Sequence, residues 1–76
     1  MSYRVDLVFR VDEALADLPE DGRQEVMETI AKVLVRRDAW PSFGGWEGVL
    51  WFGSRCWVAF TAYPDGIDVY DVGGAG

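Results

Sequence analysis

Hydrophobic and polar residues alternate along the segment YRVDLVF, which covers residues 3–9. One side of this alternation is apolar and holds Tyr3, Val5, Leu7 and Phe9. The other side carries Arg4, Asp6 and Val8. A period of two residues is typical of a strand with one buried face, so this segment is predicted to be a half-buried β-strand.

Two helices are predicted next. Asp12 is suited to begin a short helix that turns Leu15 and Leu18 inward. Pro19 ends this helix, because proline disfavours helical geometry in the residue before it. A second helix is predicted over residues 20–37, where apolar residues recur at helical spacing. This stripe consists of Val26, Ile30, Val33 and Leu34.

Three more strands are predicted in the second half of the chain, with the sequences EGVLWF, RCWVAFTAY and IDVYDV. Gly53-Ser54 is typical of a two-residue hairpin turn, and Pro64-Asp65-Gly66 of a three-residue loop. The order β-α-α-β-β-β predicts an α+β fold, a helical hairpin packed on one face of an antiparallel four-stranded sheet. Residues 1–76 are expected to form a single domain with a mobile tail over 73–76.

The two turns determine which residues share a face of the sheet, because residues opposed across antiparallel strands point to the same side. One face is almost wholly apolar and is expected to meet the helices. It carries Val49, Trp51, Cys56, Val58, Phe60, Ala62, Tyr70 and Val72. Trp40 and Trp46 are expected in or beside the loop that precedes these strands.

The second face of the sheet is predicted to bind a partner. It carries Leu50, Phe52, Arg55, Trp57, Ala59, Thr61, Tyr63, Ile67, Val69 and Asp71. A sheet face that meets water is normally polar, whereas a contiguous apolar patch usually marks a contact site. The predicted partner-binding residues are Leu50, Phe52, Arg55, Trp57, Ile67 and Val69. Arg4 and Arg10 are expected on the same face, beside Arg55.

The net charge of −6 is concentrated in residues 11–28, while the rest of the chain is balanced. A chain without a basic excess is a poor non-specific nucleic-acid binder, because lysine and arginine supply most of that affinity. The single cysteine, Cys56, cannot form an internal disulfide and favours a reducing, cytoplasmic location. No apolar run is long enough to cross a membrane, so no membrane partner is expected.

The residue types also limit the available chemistry. The chain has no histidine, which excludes Ser-His-Asp and Cys-His catalysis in their usual forms. One cysteine without histidine argues against a zinc site, and the glycines do not follow a phosphate-loop spacing. No metal and no cofactor are therefore expected, and whether the chain is an enzyme stays open.

Three segments carry a family resemblance that covers most of the chain. ALADLPEDGRQEVMETIAKVL contains a helix that ends in Leu-Pro, an arginine just after it and an amphipathic second helix. FGSRCWVAF has a glycine, a short turn, an arginine-containing strand and an aromatic end, and IDVYDVG matches a final strand. Together with the element order, these segments resemble the RelE/ParE superfamily of small bacterial toxins.

The resemblance implies a cytoplasmic protein paired with an antitoxin that wraps its surface. RelE-like members cut messenger RNA on the ribosome with basic residues, and ParE-like members inhibit DNA gyrase. If the chain is a ribonuclease, the residues expected to carry catalysis are Arg55, Arg4 and Tyr70. The sequence departs from the family because Trp57 stands where the family has an arginine, and GGAG follows Val72 without a basic or aromatic residue. An efficient ribonuclease is therefore not expected.

Three functions remain open from the sequence. The first is a protein that binds an antitoxin partner, or a gyrase-type target, through the second sheet face. The second is a weak ribosome-dependent endoribonuclease that cuts messenger RNA. The third is an interaction module or homodimer that shares the fold of the toxins without their activity.

Overall fold

The computed structural model describes residues 3–43 and 48–74 of the chain. Within these residues, two helices and four strands make up the fold, in the predicted order. They are β1 (Arg4–Leu7), α1 (Phe9–Asp17), α2 (Glu20–Val35), β2 (Val49–Phe52), β3 (Trp57–Tyr63) and β4 (Gly66–Gly73), with a short 3₁₀ turn at Arg37–Ala39 between α2 and β2. The predicted α+β class is confirmed.

The four strands form one mixed sheet in the order β1-β4-β3-β2. Strands β2, β3 and β4 are antiparallel neighbours, as predicted. Strand β1 instead runs parallel to β4, with Val5 paired to Ile67 and Leu7 to Val69. The two helices between β1 and β2 carry the chain across the sheet, which is the kind of long connection that a parallel strand requires.

The core lies between the helices and one face of the sheet. The helices contribute Val11, Leu15, Val26, Ile30 and Val33. The sheet contributes Val58, Phe60, Ala62, Ile67, Val69 and Val72, and the β2–β3 loop contributes Cys56. Phe60 is the largest of the fully buried side chains. Burying an aromatic or branched aliphatic side chain contributes roughly 1.5–3 kcal/mol, so this layer supplies the main stabilisation of a small domain.

The connection between β2 and β3 differs from the predicted two-residue turn. Residues 53–56 form a longer loop, closed by a 2.7 Å hydrogen bond from the Gly53 amide to the Cys56 carbonyl. Phe52 therefore pairs with Trp57 instead of Arg55. The pairing is displaced by two residues, and because side chains alternate with a period of two, the predicted faces of β2 and β3 are preserved.

The connection between β3 and β4 is shorter than predicted. Gly66 pairs with Tyr63, so the turn consists of Pro64 and Asp65 alone. Gly66 does not adopt the left-handed conformation expected of it. A Cβ at Gly66 would collide with the backbone of Arg4 in the neighbouring strand, which explains why this position is glycine.

This one-residue difference exchanges the faces of part of β4. Ile67 and Val69 are fully buried against the helices, so their predicted placement on the partner-binding face is wrong. A β-bulge between Ala59 and Phe60 restores the predicted register further along, where Val58 pairs with Val72. The extra residue of the bulge is Tyr70, which consequently leaves the face to which it was assigned.

The boundaries of the N-terminal elements also differ from the prediction. The first strand ends at Leu7, and helix α1 begins at Phe9, before Asp12, with Val8 as the N-cap. Phe9 is 76 % exposed and does not continue the apolar face of β1. Helix α1 ends before Pro19 as predicted, and α2 ends at Val35, two residues before its predicted end.

Two predictions fall wholly or partly on residues that the structure does not describe. Trp46 lies outside the described residues, as do the last two residues of the predicted tail. Gly73 belongs to β4 and pairs with Trp57. Over residues 3–43 and 48–74, no helix has the length and apolar character required to span a membrane.

Candidate partner-binding surface

The face of the sheet opposite the helices is the candidate site, and we call it the open face. By strand register it carries Leu50, Phe52, Trp57, Ala59, Thr61, Tyr63, Asp68, Asp71, Arg4 and Asp6. Leu50 is 54 % exposed and Phe52 is 68 % exposed, although both lie in a strand. Large apolar side chains thus meet solvent along β2, one of the two edge strands of the sheet.

Aromatic rings lie over glycines on this face. A Cβ at Gly73 would lie 2.6 Å from the Trp57 ring, and a Cβ at Gly48 would overlap the ring of Tyr70. Gly48 precedes Leu50 by two residues, so both positions point to the open face. The contact between Gly48 and Tyr70 therefore places the Tyr70 ring on this face. Ala59, which belongs to the same face, is 3 % exposed. The glycines therefore leave space for two aromatic rings close to the sheet.

Carboxylates surround Arg4 on the side of the open face that β1 and β4 form. Its Nε lies 3.0 Å from Asp65, its Nη1 lies 2.7 Å from Asp68, and it also contacts Asp6. The guanidinium stacks 5.6 Å above the ring centre of Tyr63. The hydrogen bonds that Arg4 donates to Asp65 and Asp68 raise the pKa of Arg4, and the bond that Asp65 accepts lowers the pKa of its carboxyl group. Arg4 is thus neutralised locally and joins β1 to the β3–β4 turn.

Arg55 lies at the opposite end of the sheet, in the β2–β3 loop. Its Nε lies 3.2 Å from Glu25 of α2, and its backbone amide donates a 3.1 Å hydrogen bond to the same carboxylate. The hydroxyl of Ser54 also contacts Glu25. The Ser54 hydrogen bond is the main reason that the pKa of Glu25 is lowered. Glu25 therefore holds the loop against the helix layer. The predicted position of Arg55 on the open face is wrong.

The three residues predicted to carry catalysis in a ribonuclease do not form one site. Arg4 lies beside the β3–β4 turn and Arg55 beside the β2–β3 loop, so the length of β3 separates them, roughly 20 Å. Tyr70 lies over Gly48 between these ends. Arg10 is exposed in helix α1, so its predicted place on the open face is also wrong.

Of the six predicted partner-binding residues, three lie on the open face: Leu50, Phe52 and Trp57. Their role in binding stays a prediction. Asp71 lies on the open face as predicted, whereas Asp68, which shares this face on β4, was not predicted there. Asp68 and Asp71 are three residues apart, so strict alternation places them on opposite faces, and the bulge at Tyr70 brings both to the open face. Among the described residues, no group of histidine, cysteine, aspartate or glutamate side chains is arranged to hold a metal ion.

No family model matches the sequence, and no curated protein matches it. The structure is similar to a chain in the crystal structure of the archaeal RelE–RelB complex from Pyrococcus horikoshii OT3, with a TM-score of 0.64. The similarity covers 100 % of this chain and 98 % of that chain, at 22 % sequence identity. The described chain therefore has the RelE-like fold.

Proposed function

We propose that the chain acts by binding a partner protein of the antitoxin type through its open face, in the cytoplasm. The observation that carries this proposal is the exposure of Leu50 and Phe52 beside Trp57, on a face that no helix of the described residues covers. Apolar side chains grouped in this way are typical of protein contact sites. The structurally similar archaeal protein, which forms a RelE–RelB complex, supports a partner of this class.

The contacts of the arginines favour binding over catalysis. Arg4 is held by three aspartates, and Arg55 pairs with Glu25 about the length of β3 away, so the two guanidinium groups cannot stabilise charge on one phosphate together. The positions of these residues do not support a ribonuclease centre. A ribosome target, a gyrase target and a homodimer stay predictions.

The test is co-purification with the product of a small reading frame adjoining the gene. The tagged chain is co-expressed with that product as the wild type and as the double variant Leu50→Ser/Phe52→Ser. We expect the double variant to lose the partner, because its apolar contacts are removed. Val35→Ser is the matched control, since Val35 is 79 % exposed at the end of α2 in the helix layer. Loss of the partner in the control but not in the double variant would overturn the proposal.

Growth provides a second readout of the same proposal. Expression of the chain alone is expected to arrest bacterial growth, and co-expression of the partner is expected to restore it. The double variant should stay toxic in the presence of the partner if the open face binds only the antitoxin. If it is harmless while still folded, the same face also contacts the cellular target.

A further inference from the structure

The open face has two chemically distinct sides. Strands β2 and β3 present the apolar side, which consists of Leu50, Phe52 and Trp57. Strands β4 and β1 present the acidic side, where Asp68, Asp71 and Asp6 accompany Arg4. Asp71 makes no ion pair with any described residue and accepts a hydrogen bond only from the Val72 amide. The acidic side therefore keeps an excess of negative charge after Arg4 is paired.

The spacing of the two sides suits a helix. Leu50, Ala59 and Asp71 form one row across three neighbouring strands, so Leu50 and Asp71 are two strand intervals apart, about 10 Å. An α-helix with its side chains is about 10–12 Å wide. A single helix laid along the strands can therefore contact both sides, whereas an added strand at the β2 edge would reach only the apolar side.

We propose that the open face binds a cationic amphipathic helix of the partner, with its apolar stripe over Leu50, Phe52 and Trp57 and a lysine or arginine stripe over Asp71. This inference rests on the proposed function and names the chemistry of the partner. The net charge of −6 lies mainly in the helix layer, so it assists the long-range approach of a cationic partner without directing it to the open face. A second copy of the chain is disfavoured, since it would bring the same acidic side chains towards each other.

Selection from a displayed library of random 20-residue peptides tests this proposal without assuming a partner sequence. The full chain is the bait, and the enriched peptides are sequenced and synthesised. We expect them to contain more lysine and arginine than aspartate and glutamate, with apolar residues at helical spacing. Circular dichroism should show that they gain helix on binding.

Two variants then locate the contact. Leu50→Ser/Phe52→Ser should weaken binding of the enriched peptides by at least about ten-fold, because central apolar contacts carry most binding energy. Asp71→Asn should weaken it by about two- to five-fold at low salt and reduce its salt dependence, as expected for one exposed ion pair. Glu13→Gln removes one charge from the exposed side of α1 and should leave binding unchanged.

The outcomes separate the two proposals. Enriched peptides that are neutral or acidic, yet depend on Leu50 and Phe52, would overturn the cationic helix and leave partner binding by the open face intact. Peptides that bind equally well to every variant would place the contact elsewhere and count against both proposals. If selection yields no binding peptide, the face does not accept an isolated helix, and the inference is overturned.

Discussion

Two positions that look alike in the sequence have different roles because of what surrounds them. Gly48 and Gly66 both lie at a strand end and both leave no room for a side chain. At Gly48 the obstacle is the ring of Tyr70, which can rotate away. At Gly66 it is the backbone of Arg4, which cannot move without separating β1 from β4.

We expect Gly66→Ala to destabilise the protein by roughly 1–3 kcal/mol, because the added methyl group forces apart two paired strands. Gly48→Ala should have a smaller effect, since only a partly exposed ring must move. Urea unfolding followed by tryptophan fluorescence measures both free energies of unfolding. Equal losses in the two variants would contradict this account of Gly66.

The Glu25 carboxylate should make the β2–β3 loop sensitive to acid. Its pKa is lowered in the folded protein, chiefly by the Ser54 hydroxyl, so its contribution to stability is present above the ordinary value of 4.5. That contribution is lost as the pH falls through the lowered pKa.

Hydrogen exchange of the Arg55 amide is the measurement that checks the Glu25 prediction. After correction for the intrinsic pH dependence of exchange, its protection should decrease as the pH falls below 4.5. In Glu25→Gln the protection should be weak throughout and show no such change. Asp38→Asn is a control, because Asp38 pairs with Arg36 away from this loop. If Glu25→Gln keeps the acid transition, another group is responsible for it.

At the scale of elements, the two faces of the sheet tolerate change differently. Phe60 and Phe52 lie on adjacent strands, but Phe60 is fully buried whereas Phe52 is 68 % exposed. Phe60→Ala is expected to destabilise the protein by about 3–5 kcal/mol through the cavity it leaves. Phe52→Ala should change the stability by less than about 0.5 kcal/mol. Thermal unfolding of the two variants compares them directly, and a similar loss in both would contradict the assignment of faces.

The same elements show what the sequence can and cannot predict. The period of two predicts both faces of β2 and β3 correctly despite a wrong turn, because the error is two residues long. The faces of Ile67 and Val69 are not predictable from local pattern. Gly66 is indistinguishable in sequence from a turn glycine, and only the neighbouring Arg4 backbone explains it.

The candidate site was predictable to a similar extent. Leu50, Phe52 and Trp57 follow from alternation alone. Arg55 does not lie on the open face because it pairs with Glu25, which is 30 residues distant in sequence. The local sequence pattern does not indicate this contact. Asp68 and Asp71 share a face only because of the β-bulge at Tyr70. A glycine often marks a bulge in a sequence, but the bulge residue here is a tyrosine.

At the scale of the whole molecule, charge governs association. Two copies would each contribute a net charge of −6. We expect the isolated chain to be monomeric at low salt, with a mass of 8.5 kDa by sedimentation equilibrium. A concentration-dependent dimer that dissociates in Trp57→Ala would instead support self-association through the open face.

The parallel pairing of β1 with β4 has a consequence for how the chain is made. Arg4 and Asp65, which are bonded to each other, are 61 residues apart in sequence. During synthesis β1 therefore remains unpaired, with Val5 and Leu7 exposed, until β4 has emerged from the ribosome. Contacts between such distant residues also slow folding, since a long loop must close before they form. Newly made chains should thus pass through an interval in which chaperones can bind them.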